Sequence, residues 1–337
     1  MVHLRIVLPS HDAEHVLDLL NASPSVINLI YLERAAHKPE GDVILCDVAR
    51  EDASVIVSDL KEFGIHETGS IAIERIDSEI SEAAERAEKA AAGAPSDAVV
   101  WEEVEARTSE NTELSASFLL FMALACLIAS VGILLDSPIL IIGAMVVGPE
   151  FGPIAGLCVA AVQRRGDLVK RSLLPLAIGF PLGITAAFLF SLAIKGLDLT
   201  PSGFSPENHP LTQFISHPDE FSFIVAAFAG TAGMLSLTSA KSGALIGVLI
   251  SVTTIPAAAN IGMAAAYGDG DEWLGAIEQL AVNLSAILLA GVVTLFIQRK
   301  LYQRRRRAHL HHEARELAGL PMGHSRRETQ VGGTRNR

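Results

Sequence analysis

The chain has 337 residues, half of them hydrophobic, with 38 acidic against 26 basic side chains and a formal net charge of −12. Its mean hydropathy is positive, which excludes an ordinary soluble globular composition for a chain of this size. The three cysteines, Cys46, Cys126 and Cys158, have neither disulfide nor metal-ligand spacing and read as small hydrophobes, so no metal and no cofactor is expected.

Residues 1–77 read as a cytosolic domain. LRIVLPS, VINLIYLERAA, GDVILCDVA and SIAIERID have strand character; AEHVLDLLNAS and DASVIVSDLKEFG have helical character, with Gly41 and Gly64 as punctuation. The order βαββαβ predicts a ferredoxin-like α+β domain, a fold that by itself names no ligand. Residues 78–114 form an acidic helical linker, broken at GAPSD, where Ser96 or Asp97 is placed to cap a second short helix bearing Trp101. A solvated spacer is the expectation, because its acidic flank is repelled by anionic lipid.

Apolar runs at 115–135, 138–163, 172–196, 221–240, 242–266 and 277–298 each come close to or exceed the roughly 20 residues that span a hydrocarbon core. A polytopic membrane domain over 115–298 with six transmembrane helices is therefore expected. The first run starts too far into the chain for a cleaved signal peptide, which leaves the N-terminus cytoplasmic. Loop charges sort the same way: QRRGDLVKRS carries Arg164, Arg165, Lys170 and Arg171, and Lys241 follows the fourth run, whereas GLDLTPSGFSPENHPLTQFISHPDE and YGDGDEW carry no Lys or Arg. The positive-inside rule then predicts both termini on the cytoplasmic side of the cell's inner (plasma) membrane. Residues 299–337 are a basic tail, expected to be disordered, whose RRRR at 304–307 suits anionic headgroups better than nucleic acid. His309, His311 and His312 in it are weak as a metal site.

The second run carries GAMVVGPEFGPIAGLCVAA and the fifth GALIGVLISVTTIPAAANIGMAAA. Each reaches a proline near its middle, Pro153 and Pro256, and continues through small residues. Both occupy the middle place in a set of three spans, and sets of three insert with opposite orientation. That is the layout of a 3+3 inverted-topology repeat with broken second and fifth helices, which transporters use to build a midplane site. A helix break exposes carbonyls before it and N–H groups after it, tolerated at that depth only where the backbone is buried or lines a polar cavity. The expected ion- or substrate-binding set is Glu150 with Gly148, Pro149, Gly152 and Pro153, and Thr253, Thr254, Pro256 and Asn260; Gln279 and Asn283 are placed to extend the polar lining. Glu150 reads as the one charge deep in a span, and an intramembrane carboxylate points to function. Close packing through Gly148, Gly152 and Gly156 is the competing explanation of the glycines, and the same small-residue faces suit a homo-oligomer or internal packing equally.

At these two motifs the sequence resembles the bacterial and archaeal membrane family known as domain of unknown function 389. Gly143, Ala144, Met145, Pro149 and Pro153 carry the first motif, and Gly247, Ile250 and Pro256 the second. The chain departs from the family pattern at Glu150, often apolar there, and at Ile255, where the family has the first of two prolines. The resemblance implies the architecture of residues 115–298 and brings no substrate. With no HExxH, no facing aspartate pair, no membrane Ser with a His and no Walker loop, an enzyme is not expected. The expected function is a transporter or channel-like protein for an ion or small solute, proton- or cation-coupled. The alternative is a membrane-anchored sensor or scaffold whose front domain binds a ligand or partner.

Overall fold

The structure is a computed structural model that describes residues 1–76, 78–91, 98–201, 204, 211–212, 215–239 and 254–325. Thr253, Lys241, Gly247, Ile250, Ser96 and Asp97, named above, lie outside the described residues. The chain divides into two compact units, one of Met1–Val104, Thr238–Ala240 and Gln298–Arg337, the other of Glu105–Leu237 and Lys241–Ile297.

The first unit holds a small antiparallel sheet of four strands: β1 (Val2–Leu8), β2 (Val26–His37), β3 (Glu40–Val48) and β4 (Ser70–Arg75), in the order β2-β3-β1-β4. Helices α1 (Ala13–Asn21) and α2 (Arg50–Glu62) separate the strands as the sequence pattern predicts, and a short α3 (Ile65–Thr68) precedes β4. Alternation decides the faces. Val2, Leu4, Ile6 and Leu8 of β1 are buried and pack with Val16 and Leu19 of α1 and Ile56 and Leu60 of α2, while Ile6 pairs with Ile44 of β3 and Ile71 of β4. The β2–β3 hairpin is pinned by Asp42. Shielded from solvent although close to the domain's surface, it accepts from Tyr31 Oη (2.6 Å), Ser10 Oγ (2.8 Å) and the Arg34 amide (2.8 Å). Desolvation pushes this carboxyl upward, but the three donors outweigh it and hold it below the usual range. The same hydrogen bond, followed by burial and the Asp42 charge, pushes the Tyr31 phenol up to about 12.

Two segments expected to be solvated pack into this unit. Helix α4 (Glu82–Ala90) is capped by Ser81, and α5 (Trp101–Asn111) starts with Trp101 buried beside the Tyr302 ring, at a centroid distance of 6.4 Å. The basic tail, expected to be disordered, is ordered through Ser325. Arg315 there is fully buried and bonds Asp59, Glu62 (3.0 Å) and the Pro321 carbonyl (3.2 Å). Arg306 reaches Glu62 at 2.7 Å and His309 reaches Asp59 at 2.8 Å. Ala314 and Ala318 join the same apolar core. The physical reason is charge complementarity: acidic residues of α2 face basic residues of the tail, and both terminal nitrogens of the fully buried Arg315 bond to them.

The second unit is helical. α6 (Ala116–Leu134), capped by Ser115, is followed by α7 (Pro138–Val147), α8 (Phe151–Gln163), α9 (Gly166–Gly196), α10 (Glu220–Thr238), α11 (Thr254–Tyr267), α12 (Gly270–His309) and, past the unit's end, α13 (Glu313–Leu317). Among the described residues four helices, α6, α9, α10 and α12, are long and apolar enough to cross a membrane, or five if α7 and α8, bent by 55° at their break, count as one span. The first half of the expected fifth run, 242–253, lies outside the described residues. Close helix contacts account for several glycines: a Cβ at Gly262 would enter the α9 backbone at Ile184 and Phe188, and one at Gly156 would strike Ser172 and Thr112.

Candidate ion-binding site at the helix break

The break between α7 and α8 follows from its two prolines, which act differently. Pro149 has no N–H to offer the carbonyl of Met145 and pushes its predecessor Gly148 into extended backbone (φ −62°, ψ 130°), so α7 stops at Val147. Pro153 is the third residue of α8, where the missing N–H is one that a helix start leaves unbonded anyway. Pro256 is likewise the third described residue of α11.

Glu150 caps α8, yet its side chain makes no bond to that helix. It turns toward α11, where Thr254 Oγ1 donates to Glu150 Oε1 at 2.7 Å. Glu150 is 5% exposed and Thr254 fully buried. The second oxygen, Oε2, is enclosed and has no hydrogen-bond partner among the described residues. It lies against Gly148: a Cβ there would overlap Oε2 and come within 2.6 Å of Ile255 Cγ1. Glycine at 148 is thus required by the carboxylate and Ile255, not by an unusual backbone angle. Gly148, Pro149 and Gly152 also line an open pocket of about 380 Å³ whose polar wall includes Glu110, Glu113 and Ser115.

Of the predicted set, the structure brings Glu150, Gly148 and Thr254 together, with Pro149, Gly152, Pro153 and Pro256 forming the adjoining turns. Asn260 is directed elsewhere. Six residues beyond Thr254, about 9 Å along the helix, its Nδ2 donates to Glu272 Oε2 at 3.1 Å, and both are buried. Gln279 and Asn283, also buried, bond each other at 3.2 Å. Glu272 is the residue that pattern reasoning placed in an outer loop. α12 begins at Gly270, seven residues before the apolar run, and carries Glu272 into the packed interior with His217 Nδ1 at 4.0 Å from its Oε1. A signal was present: Asp269 followed three residues later by Glu272, ahead of an apolar run, is a helix-start signature, and Asp269 Oδ1 indeed accepts from the amides of Asp271 (3.1 Å) and Glu272 (3.0 Å). Among the described residues no group of three or more His, Cys, Asp or Glu is arranged to hold a metal ion.

Part of this helix-rich, membrane-type chain matches a known family in sequence. Residues 145–289 match the family described as Domain of unknown function (DUF389), a stretch that contains Met145, Pro149 and Pro153 of the first motif and all of the second. A more extended likeness is to Uncharacterized protein MJ0678 of Methanocaldococcus jannaschii, 27% identical over 195 residues, covering 58% of each chain. The chain thus spans little more than half the length of that relative. No solved structure matches the chain.

Proposed function

We propose that this is a membrane transporter or channel-like protein for an ion or small solute, with its site at the break between α7 and α8. The observation that carries this reading is Glu150: a carboxylate enclosed at a helix break, held by a hydroxyl from another helix, its second oxygen without a hydrogen-bond partner among the described residues. Close packing explains Gly156 and Gly262, but a packing motif has no use for a buried carboxylate that costs free energy to enclose.

The finer architecture belongs to the same proposal. Counting α7 and α8 as one broken span and joining α11 to the apolar residues before it gives six crossings. The prolines near the middle of the second and fifth apolar runs, Pro153 and Pro256, support a 3+3 inverted repeat. Lysine and arginine in the loops support cytoplasmic termini and an inner-membrane location. The front domain, ferredoxin-like in element order, would then gate or sense on the cytoplasmic side. No cofactor, nucleic-acid partner or catalytic chemistry is part of this reading.

The test is flux through purified full-length protein in liposomes, stepping pH and a panel of cations and organic anions, with Glu150→Gln alongside. Flux in the wild type that is lost in a folded variant supports the reading. Silence across the panel, with the variant equally stable, removes it in favour of a membrane-anchored sensor.

A further inference from the structure

The two oxygens of Glu150 have different surroundings. Oε1 accepts from the Thr254 hydroxyl at 2.7 Å. Oε2 faces Gly148 and the side chain of Ile255, packed closely enough that one methyl group on residue 148 would overlap it. The chemistry of an occupant follows from what surrounds that atom. A hard metal cation gathers about six oxygen ligands in a shell, whereas Oε2 has no hydrogen-bond partner among the described residues and lies on the Gly148 side with the carbon side chain of Ile255. Divalent ions would in addition call for more carboxylate than this one. A proton needs one oxygen and no shell.

We propose that Glu150 is a proton-binding site, its Oε2 carrying an exchangeable proton while Thr254 holds the carboxyl in place. This rests on the reading of the break as a transport site and names the coupling ion for it. The step balances simply. An O–H bond forms at Oε2 as one breaks in a hydronium ion, leaving water and a neutral carboxylic acid. The source of that proton is the pocket that Gly148, Pro149 and Gly152 of the same turn line together with Glu110, Glu113 and Ser115. With Pro149 leaving the turn short of backbone hydrogen bonds, rotation of the Glu150 side chain there moves the carboxyl between Thr254 and the pocket. Thr254 acts as a positioning residue.

The experiment is infrared difference spectroscopy on the purified full-length protein, titrated with acid and base in H2O and D2O, comparing wild type with Glu150→Gln, Glu150→Asp and Thr254→Val. The expected result is a carboxylic-acid carbonyl band that disappears in a single one-proton step as pH rises and is absent in Glu150→Gln. Glu150→Asp should restore it, which guards against a misfolded glutamine variant, and Thr254→Val should shift its frequency by removing the hydrogen bond. Absence of the band at every pH where the wild type stays folded overturns the proposal. So does a saturable, sodium-dependent rise in melting temperature that Glu150→Gln abolishes, which would make the occupant a metal cation. Proton flux into liposomes, followed separately, distinguishes this from failure of the transport reading. A band without flux leaves the proton site standing and removes transport; flux without a band overturns the proton assignment alone.

Discussion

The Thr254 hydroxyl and the Glu150 carboxylate, 104 residues apart in the chain, meet at 2.7 Å in a site closed to solvent. Their bond ties α11 to the first turn of α8, so the side-chain hydrogen bond that holds the buried carboxyl among the described residues comes from another helix. Removing the donor leaves a buried acceptor unsatisfied, which costs about 1–3 kcal/mol. Thr254→Val should therefore lower the unfolding temperature in detergent more than Thr254→Ser, which keeps the hydroxyl and deletes one methyl at about 1 kcal/mol. A valine variant as stable as wild type would show that the bond contributes nothing.

Gly148 is the second constraint on that carboxyl. Gly148→Ala places a methyl group against Glu150 Oε2 and Ile255, and overpacking of this kind costs about 1–3 kcal/mol. Because Glu150 supplies one side of the clash, the loss in Gly148→Ala should shrink when Glu150→Ala is added. Unfolding of the two single variants and the double variant measures this; strict additivity would mean that Gly148 and Glu150 do not touch.

α11 carries two polar pairs that the sequence pattern had merged into one site. Thr254 serves Glu150 and Asn260 serves Glu272. With about 9 Å of helix between them and different hydrogen-bond partners among the described residues, the stability losses of Thr254→Val and Asn260→Ala should add to within about 0.5 kcal/mol. A larger coupling energy would mean that the two carboxylates respond to each other through α11.

The β2–β3 hairpin of the front domain gives a pH signature. The Asp42 carboxyl lies below its usual range in the folded state, so its contribution is present above the unfolded value of about 4 and is lost as pH falls through the folded one. Tyr31 is raised to about 12 from 10.0, so its contribution is complete below the unfolded value and is lost as pH rises toward about 12. Tyr31→Phe removes the shared hydrogen bond. The stability difference between wild type and this variant should be largest from about pH 5 to 9 and decline at both ends, as measured by denaturant unfolding across pH. A difference that grows in acid would contradict this assignment.

Local pattern made much of this legible, for local reasons. Alternation in VHLRIVL marks the buried face of β1, and Pro149 announces the end of α7 because it lacks an N–H. What escaped depends on distant chain. Nothing around Thr254 names Glu150 as its partner. YGDGDEW reads as an outer loop until Asp269 is seen to cap α12 and carry Glu272 inward. The run RRRR reads as headgroup contact because its acidic partners, Asp52 for Arg305 (3.3 Å) and Glu62 for Arg306 (2.7 Å), lie far upstream.

The tail supplies the most severe prediction. Arg315 is fully enclosed between Asp59, with no exposed side chain, and Glu62, only 4% exposed. Arg306 and His309 share those carboxylates, so deleting Arg315 leaves two buried acids with part of their compensation. Breaking a buried ion pair by removing one partner costs about 3–5 kcal/mol. Arg315→Ala should thus lower the melting temperature of the front domain and expose α2 to limited proteolysis in the full chain. Arg315→Lys should recover only part of the loss, because an ammonium cannot reproduce the forked geometry that reaches Asp59, Glu62 and the Pro321 carbonyl together. If Arg315→Ala melts and digests like wild type, the residues after 309 are a solvated tail, and the buried charge cluster does not hold it to α2.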